Sequence, residues 1–384
     1  VLISKRVQKI SPSQTLKITA EIKKIKKENK PVINFAAGEP DFDTPKQIKE
    51  AAYEAIKSGF TKYTPVSGVP ELKESISAKF KNSNNLDYAP RQIIVSNGAK
   101  QALFNALLAI LNPGDEVIIM APYWLSYTEM VKLADGVPVI IDSDKENGFR
   151  PNFDDIEKKI TPQTKCIILN TPTNPTGMVW RRSELEQLSE IILKHKLLVI
   201  SDEIYEHLIY ESSHFSIGAL SKDILSRTIT VNGVSKSFSM TGWRIGWMGA
   251  PYDIAQEVSK IQGQMTSNPC SISQMAAVAA LGMDEEWFDY LRDEFRKRRD
   301  CMISNLRERN ISFVKPEGAF YLFMDITSTG LGSFAFAEKL LSEKFVGVIP
   351  GVPFGRDDFV RLSYATSVDE IEEGIMRIGA FLSG

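Results

Sequence analysis

Between Asp43 and Met283, short runs of β-branched and apolar residues alternate with longer stretches whose apolar positions recur at helical spacing. That alternation predicts strands joined by helical crossovers in a mostly parallel sheet. The strand candidates are Gln92–Val95, Glu116–Met120, Val137–Ile141, Cys166–Asn170, Leu197–Ser201, Thr228–Val231 and Ile245–Gly249. Several are apolar almost throughout, which suits strands covered on both faces. Lys100–Leu111, Tyr127–Leu133 and Arg182–His195 carry the period of helices. Beyond Met283 the texture changes. A charged helix at Glu285–Arg309 leads to an apolar strand at Ala319–Met324, a helix around Phe334–Glu343, a short strand at Val346–Ile349, a strand at Val360–Tyr364 and a final helix. The expected α/β architecture is a large unit over 41–283, with a smaller α+β unit built from 284–384 and the N-terminal arm 1–40.

Composition narrows the partners. A chain of 384 residues leaves room for two domains, at roughly 100 to 200 residues each. Its 46 basic and 48 acidic side chains nearly cancel, so neither nucleic acid nor a membrane surface is expected as a partner. The lysines of Ile22–Lys30 follow Ile18, Ile22 and Ile25 at helical spacing and read as the wet face of an amphipathic helix. Cys166, Cys270 and Cys301 are too scattered for a disulfide framework and lack metal-ligand spacing, so no metal and a reducing cytoplasm are expected. Val1–Ile10 mixes Lys5, Arg6 and Lys9 into its apolar pattern, unlike a secretory signal.

In an open parallel sheet, ligands bind beyond the carboxyl ends of the strands, and four such places carry polar clusters. Ser96-Asn97-Gly98-Ala99-Lys100 opens a helix, where free amides favour a phosphate, although a plain cap would read the same. Asn170 to Gly177 is a proline-rich loop around Asn174, either a tight connection or a seat for that carboxamide. Ser201-Asp202-Glu203-Ile204-Tyr205 puts an acid directly after a buried strand, as a helix cap or facing a ring nitrogen. The segment Asn232 to Trp247 is the most specific. It holds Lys236 among small and aromatic residues, with Arg244 between two glycines farther on. A lysine so placed, with a depressed pKa, acts as an amine nucleophile, and Arg244 and Lys236 both read as buried.

Six motifs in order resemble the class I aminotransferases of the aspartate aminotransferase family, within the fold type I pyridoxal-phosphate enzymes. They are AAGEPDFDTP (36–45), KYTPVSGVPELK (62–73), NPTG (174–177), SDEIYEHLIY (201–210), SKSFSMTGWRIG (235–246) and VRLSYA (360–365). The resemblance implies pyridoxal 5'-phosphate as cofactor, held as a Schiff base by Lys236, which then moves the proton of the reacting amino acid. Asp202 is implied at the pyridinium nitrogen, Tyr205 and Asn174 at the phenolic oxygen, and Trp124 stacked on the ring. The amides of Gly98 and Ala99, the Ser235 hydroxyl and Arg244 are implied at the phosphate, with Tyr63 reaching the cofactor of a second subunit in a homodimer. Arg361 is implied as the clamp on the substrate α-carboxylate, assisted by Asn174 and Gly38.

One departure is visible. Some relatives carry a phosphate-binding serine three residues before the lysine, and here Gly233 stands there. The expected loss is one hydroxyl contact, roughly 1 kcal/mol. The bacterial branch implies L-aspartate and 2-oxoglutarate as substrates in a ping-pong cycle, with Lys100, Ser13 and Thr15 receiving the distal carboxylate. Aspartate/prephenate and aromatic or broad-specificity aminotransferases are the alternatives. Ser11 stands where some prephenate-active relatives carry a further lysine, so weak or absent prephenate activity is expected. A transcriptional regulator would need a DNA-binding module, for which the chain shows no basic domain.

Overall fold

The computed structural model describes residues 2–11 and 14–383, with backbone only over 14–17. Strand β1 (Ile33–Asn34) precedes a seven-stranded sheet of β2 (Ile93–Ser96), β3 (Glu116–Met120), β4 (Val137–Ile141), β5 (Thr164–Asn170), β6 (Leu198–Asp202), β7 (Thr228–Gly233) and β8 (Gly246–Gly249). Its order is β2-β8-β7-β6-β5-β3-β4. The neighbours from β7 through β4 pair in parallel. β8 runs antiparallel to both β7 and β2. The break has a local cause: the connection after β7 contains only a 3-10 turn at Thr241–Trp243, so no helix carries the chain across the sheet. β2 and β7 are buried throughout, and β5 at all but one position, as strands sandwiched between helices must be.

The remaining strands are β9 (Phe313–Val314), β10 (Tyr321–Asp325), β11 (Val346–Gly347), β12 (Ile349–Pro350) and β13 (Phe359–Ser363). Four of them form an antiparallel sheet in the order β12-β13-β10-β9. The single strand expected at Val346–Ile349 is divided. β11 pairs in parallel with β1, whereas β12 pairs with β13, and Val348 between them marks the change of partner. The N-terminal segment is thereby tied to the C-terminal part of the chain. Helix Gln14–Lys27 buries Ile18, Ile22 and Ile25 in a core with Phe323, Leu341 and Ile349, leaving its lysines outside. Helix Glu285–Glu308 buries Phe288, Leu291, Phe295, Met302 and Leu306 along one stripe. Among the described residues no helix is long and apolar enough to cross a membrane.

Behind the carboxyl end of β6 lies a buried polar cluster. Glu206 Oε1 pairs with the Lys79 ammonium and accepts from Asn232 Nδ2 at 2.7 Å, while Oε2 accepts from Asn84 Nδ2 at 2.7 Å. Glu203 accepts from Ser201, Ser216 and His214. Burial alone would raise the Glu206 carboxyl, but the Lys79 charge overrides it and holds the group well below the usual range. The pair's contribution is therefore complete above the unfolded carboxylate value and is lost as pH falls through the lower folded value. With only 9% and 5% of the two side chains exposed, Lys79→Met is expected to cost about 3 kcal/mol, because Glu206 would be left buried with Asn84, Asn232 and His207 but without its ammonium partner. Urea unfolding at pH 7 checks this, and a loss below about 1 kcal/mol would show the pair to be dispensable.

Candidate active site

The carboxyl ends of β2, β5, β6 and β7 lie at one end of the seven-stranded sheet. After β2 the backbone turns at Gly98, with φ of +85°, into helix Ala99–Ile110. β7 and β8 meet that helix at two paired glycines, Gly233 and Gly246. A Cβ on Gly246 would lie 2.2 Å from the Ala99 amide nitrogen, and one on Gly233 would lie 2.8 Å from Gly246 Cα. This close approach explains why glycine rather than serine stands at 233: a side chain has no room there. The same approach brings Arg244 over the helix N-terminus, and a Cβ on Gly98 would meet its Nη2 at 2.5 Å.

Arg244 donates to the carbonyls of Thr241 at 2.9 Å and Asn97 at 3.3 Å. No carboxylate pairs with it among the described residues. It is exposed in the single chain, which corrects the expectation of a buried guanidinium. The reason is its position at the end of the 3-10 turn just before β8, in left-handed backbone with φ of +56°. Ser235 is buried directly before the lysine. The first-turn amides, Arg244 and Ser235 thus compose an anion seat with a positive helix end and no acid of its own.

Lys236 is partly exposed and donates from Nζ to the Gly38 carbonyl at 2.5 Å. Burial of the amine, reinforced by the Arg361 and Arg244 charges, lowers its pKa to about 8, against the pull of Glu39 and Asp202. Its Nζ also lies 5.9 Å from the Tyr205 ring centre and 5.7 Å from that of Phe320. At the end of β6, Asp202 is buried and pushed up to about 6, chiefly by desolvation. Its Oδ2 accepts from the Tyr127 hydroxyl at 2.6 Å. Tyr127 in turn meets Trp124 edge-on at 5.3 Å, fixing that ring at the start of helix Ser126–Leu133.

Arg361, on β13, completes the centre. It is buried, lies 4.2 Å over the Tyr321 ring, and donates from Nη1 to Asn174 Oδ1 at 3.0 Å and from Nη2 to the Ala36 carbonyl at 3.3 Å. Its Nε has no partner. Among the described residues no carboxylate neutralises it, and burial lowers its pKa. The Asn174 amide is held by Asn170 Oδ1 at 2.9 Å, within a loop carrying cis peptides before Pro172 and Pro175.

Residues 30–378 match the family described as aminotransferase class I and II. The chain belongs to that family. This aminotransferase is 45% identical over 388 residues to aspartate aminotransferase of Bacillus sp. (strain YM-2), covering 99% of both chains. It is 46% identical over 390 residues to a probable aspartate/prephenate aminotransferase of Rickettsia bellii, covering 98% of both. Among solved structures, Thermus thermophilus aspartate aminotransferase with maleate superposes with a TM-score of 0.96 at 41% identity, over 99% of each chain. The fold is therefore that of the fold type I aminotransferases, whose family uses pyridoxal phosphate.

The aminotransferase's residues fit that group. A seat for a dianion, a buried acid aimed from a strand end and an amine lowered toward neutrality stand together, with an unpaired guanidinium beside them. Of the expected residues, Lys236 contacts Gly38 and lies near Tyr205, Arg361 contacts Asn174, and Arg361 and Asp202 both act on the Lys236 amine by charge; Ala99, Ser235 and Arg244 stand at the helix end, where the Gly98 amide donates to the Ser96 carbonyl at 2.7 Å. Lys100 is exposed as a residue, yet its ammonium lies 4.8 Å from the Trp124 ring and is lowered by burial and by Arg244. Tyr63 stands apart, 91% exposed. Ser13 and the Thr15 side chain lie outside the described residues, and Ser11 is exposed with its amide on Glu129 Oε2 at 2.8 Å. Sequence reading missed Tyr127 and Tyr321. Tyr321 gave only the signal of a hydroxyl-bearing ring within an apolar run, and Tyr127, among Ser126, Thr128 and Glu129, gave none.

Proposed function

We propose that this enzyme transfers the amino group of L-aspartate to 2-oxoglutarate, giving oxaloacetate and L-glutamate in two half-reactions. The observation that carries the reading is Arg361: a buried guanidinium with no anion of its own, next to a lysine whose pKa is lowered to about 8. Pyridoxal phosphate, bound by Lys236, Asp202, Tyr205, Asn174, Trp124 and the anion seat, supplies the electron sink for the substrate's Cα–H bond. Arg361 and Asn174 fix the α-carboxylate, which sets the orientation of Cα. Lys236 Nζ, near its pKa at neutral pH, takes the proton from Cα and returns one to the keto acid in the reverse half-reaction. Asp202, ionised above about 6, would hold the ring nitrogen's proton. Nearly full exposure of Tyr63 supports a homodimer in which its phenol reaches the partner's phosphate.

For the distal carboxylate we assign Lys100, together with the hydroxyls of Ser13 and Thr15. The ammonium of Lys100 lies against Trp124 rather than projecting away from the site. Maleate in the Thermus thermophilus structure is itself a dicarboxylate. An amino-donor panel against 2-oxoglutarate and oxaloacetate tests the substrate choice, with aspartate and glutamate expected to lead. In Lys100→Met the KM for aspartate should rise about tenfold or more, the loss of one charge-assisted bond, with alanine and aromatic donors little affected. An equal effect on every donor would remove Lys100 from the pocket. Prephenate turnover is expected to be weak, since Ser11 supplies no cation.

A further inference from the structure

Tyr321 is a buried phenol in β10, and sequence periodicity treats it as one more core ring. Its surroundings are unlike those of a core ring. Its hydroxyl lies 3.0 Å from the hydroxyl of Tyr205, and its face lies 4.2 Å below the Arg361 guanidinium. The two rings meet edge-on at 5.8 Å and 83°, which leaves the hydroxyls as the point of contact.

Burial raises both phenols, so both keep their hydrogens across the working pH range. The pair then has two O–H donors and only one bond between them. One hydrogen is left over, and neither hydroxyl makes another hydrogen bond among the described residues. The nearer of two cations fixes which one is left: Arg361 lies 4.2 Å from the Tyr321 ring centre, against 5.9 Å for Lys236 over Tyr205. A guanidinium over the Tyr321 face draws electron density from the ring, making its hydroxyl the better donor and the poorer acceptor. The polarity therefore runs from Tyr321 to Tyr205, and the free hydrogen is that of Tyr205. Lys236 Nζ lies 5.9 Å from the Tyr205 ring centre, so that hydrogen belongs to the same centre as the amine.

We propose that Tyr321 is a positioning residue: it donates to the Tyr205 oxygen and so strengthens the hydrogen bond that Tyr205 gives to the bound cofactor. The proposal rests on the reading that this site binds pyridoxal phosphate with Tyr205 at its phenolic oxygen. A hydrogen bond received by one hydroxyl polarises it as a donor to the next. A stronger bond to the phenolic oxygen stabilises the deprotonated bound chromophore, so the visible titration midpoint of the holoenzyme is held down. The ring, separately, supports Arg361 by stacking.

Tyr321→Phe removes the hydroxyl and keeps the ring, so the fold and the Arg361 contact are retained. The midpoint of the visible pH titration should rise by about 0.1 to 0.7 unit, the roughly 10–30% that a received bond adds to a charge-assisted one. The same substitution made in Tyr205→Phe should produce no further shift, because the intermediary is gone. An unchanged midpoint in Tyr321→Phe, or an equal shift in both backgrounds, would overturn the proposal. A wild-type protein that binds no pyridoxal phosphate, and so shows no visible band to titrate, would instead overturn the functional reading itself, and this inference with it. Binding of a dicarboxylate such as maleate provides the control: Tyr321→Phe should retain it, and a loss as large as that in Tyr321→Leu would assign the hydroxyl to substrate binding instead.

Discussion

Purified Lys236→Ala is expected to show no visible absorbance from a lysine-bound cofactor and to lose transamination by more than about a thousandfold, the combined effect of a missing nucleophile and a missing general base. Absorbance spectra of wild type and variant after incubation with pyridoxal phosphate, followed by a coupled assay for oxaloacetate, are the measurements. Unchanged colour and turnover would remove Lys236 from the centre. A second consequence concerns the cofactor-free protein. The amine is lowered to about 8 in the folded chain from an ordinary value of 10.5, so the unfolded state binds the proton more tightly. Below pH 8 the folded state carries the full cost of holding the charge, and that cost fades as pH rises from 8 to 10.5. Without cofactor, Lys236→Met should therefore be more stable than wild type at pH 7, with the advantage disappearing by pH 10.5. A constant difference across that range would mean that the gain comes from packing alone.

The large sheet was legible because its strands are uninterrupted apolar runs, most of them buried on both faces although the edge strand β4 is not. Runs such as Glu116–Met120 and Val137–Ile141 were read with their observed limits, since no polar residue interrupts them. Strand direction was less legible. Nothing in Ile245–Gly249 shows that it runs back beside β7, because direction is set by the connection before it, and that connection is occupied by the Lys236 loop. The divided strand at Val346–Ile349 failed for a related reason: four apolar residues look continuous although two different sheets claim them.

In the site, residues that follow strand ends in compact motifs were found, and those reaching in from elsewhere were not. Asp202, Lys236 and Gly98 each sit directly beyond an apolar run. Tyr127 reaches Asp202 from across 75 positions of sequence, and Tyr321 reaches Tyr205 from across 116. Each is indistinguishable from core packing until the hydroxyl's partner is known. The Lys79 and Glu206 pair was hidden in the same way, since a lysine in a helix that otherwise looks solvated gives no hint of a buried partner 127 positions on. Arg244 is the opposite case. Its glycine neighbours suggested burial, but they serve the approach of β8 to the helix end, and the guanidinium itself stays at the surface.

In Arg361→Met, kcat/KM for aspartate should fall by about a hundredfold to ten-thousandfold, corresponding to two charge-assisted bonds of about 1.5–3 kcal/mol each. The cofactor's dissociation constant should change little, because the anion seat is built from Ser235, Arg244 and the helix end rather than from Arg361. Arg361→Lys should restore only a small part, since an ammonium cannot present the planar fork or keep the stacking on Tyr321. Stability should move the other way. Among the described residues, the wild-type chain holds this charge in the interior with two neutral acceptors, an unpartnered Nε and no carboxylate. Its pKa is lowered by burial, the sign of a charge kept at a cost. Replacing it by an apolar side chain of similar length should leave the substrate-free protein as stable as wild type or more so. A dicarboxylate such as maleate should then raise the melting temperature of wild type and not that of the variant. A variant that loses stability and cofactor affinity together with activity would show Arg361 to be a structural cation. Retained cofactor affinity with unimpaired stability and lost substrate affinity would show a guanidinium held unpaired for a carboxylate that arrives with the substrate.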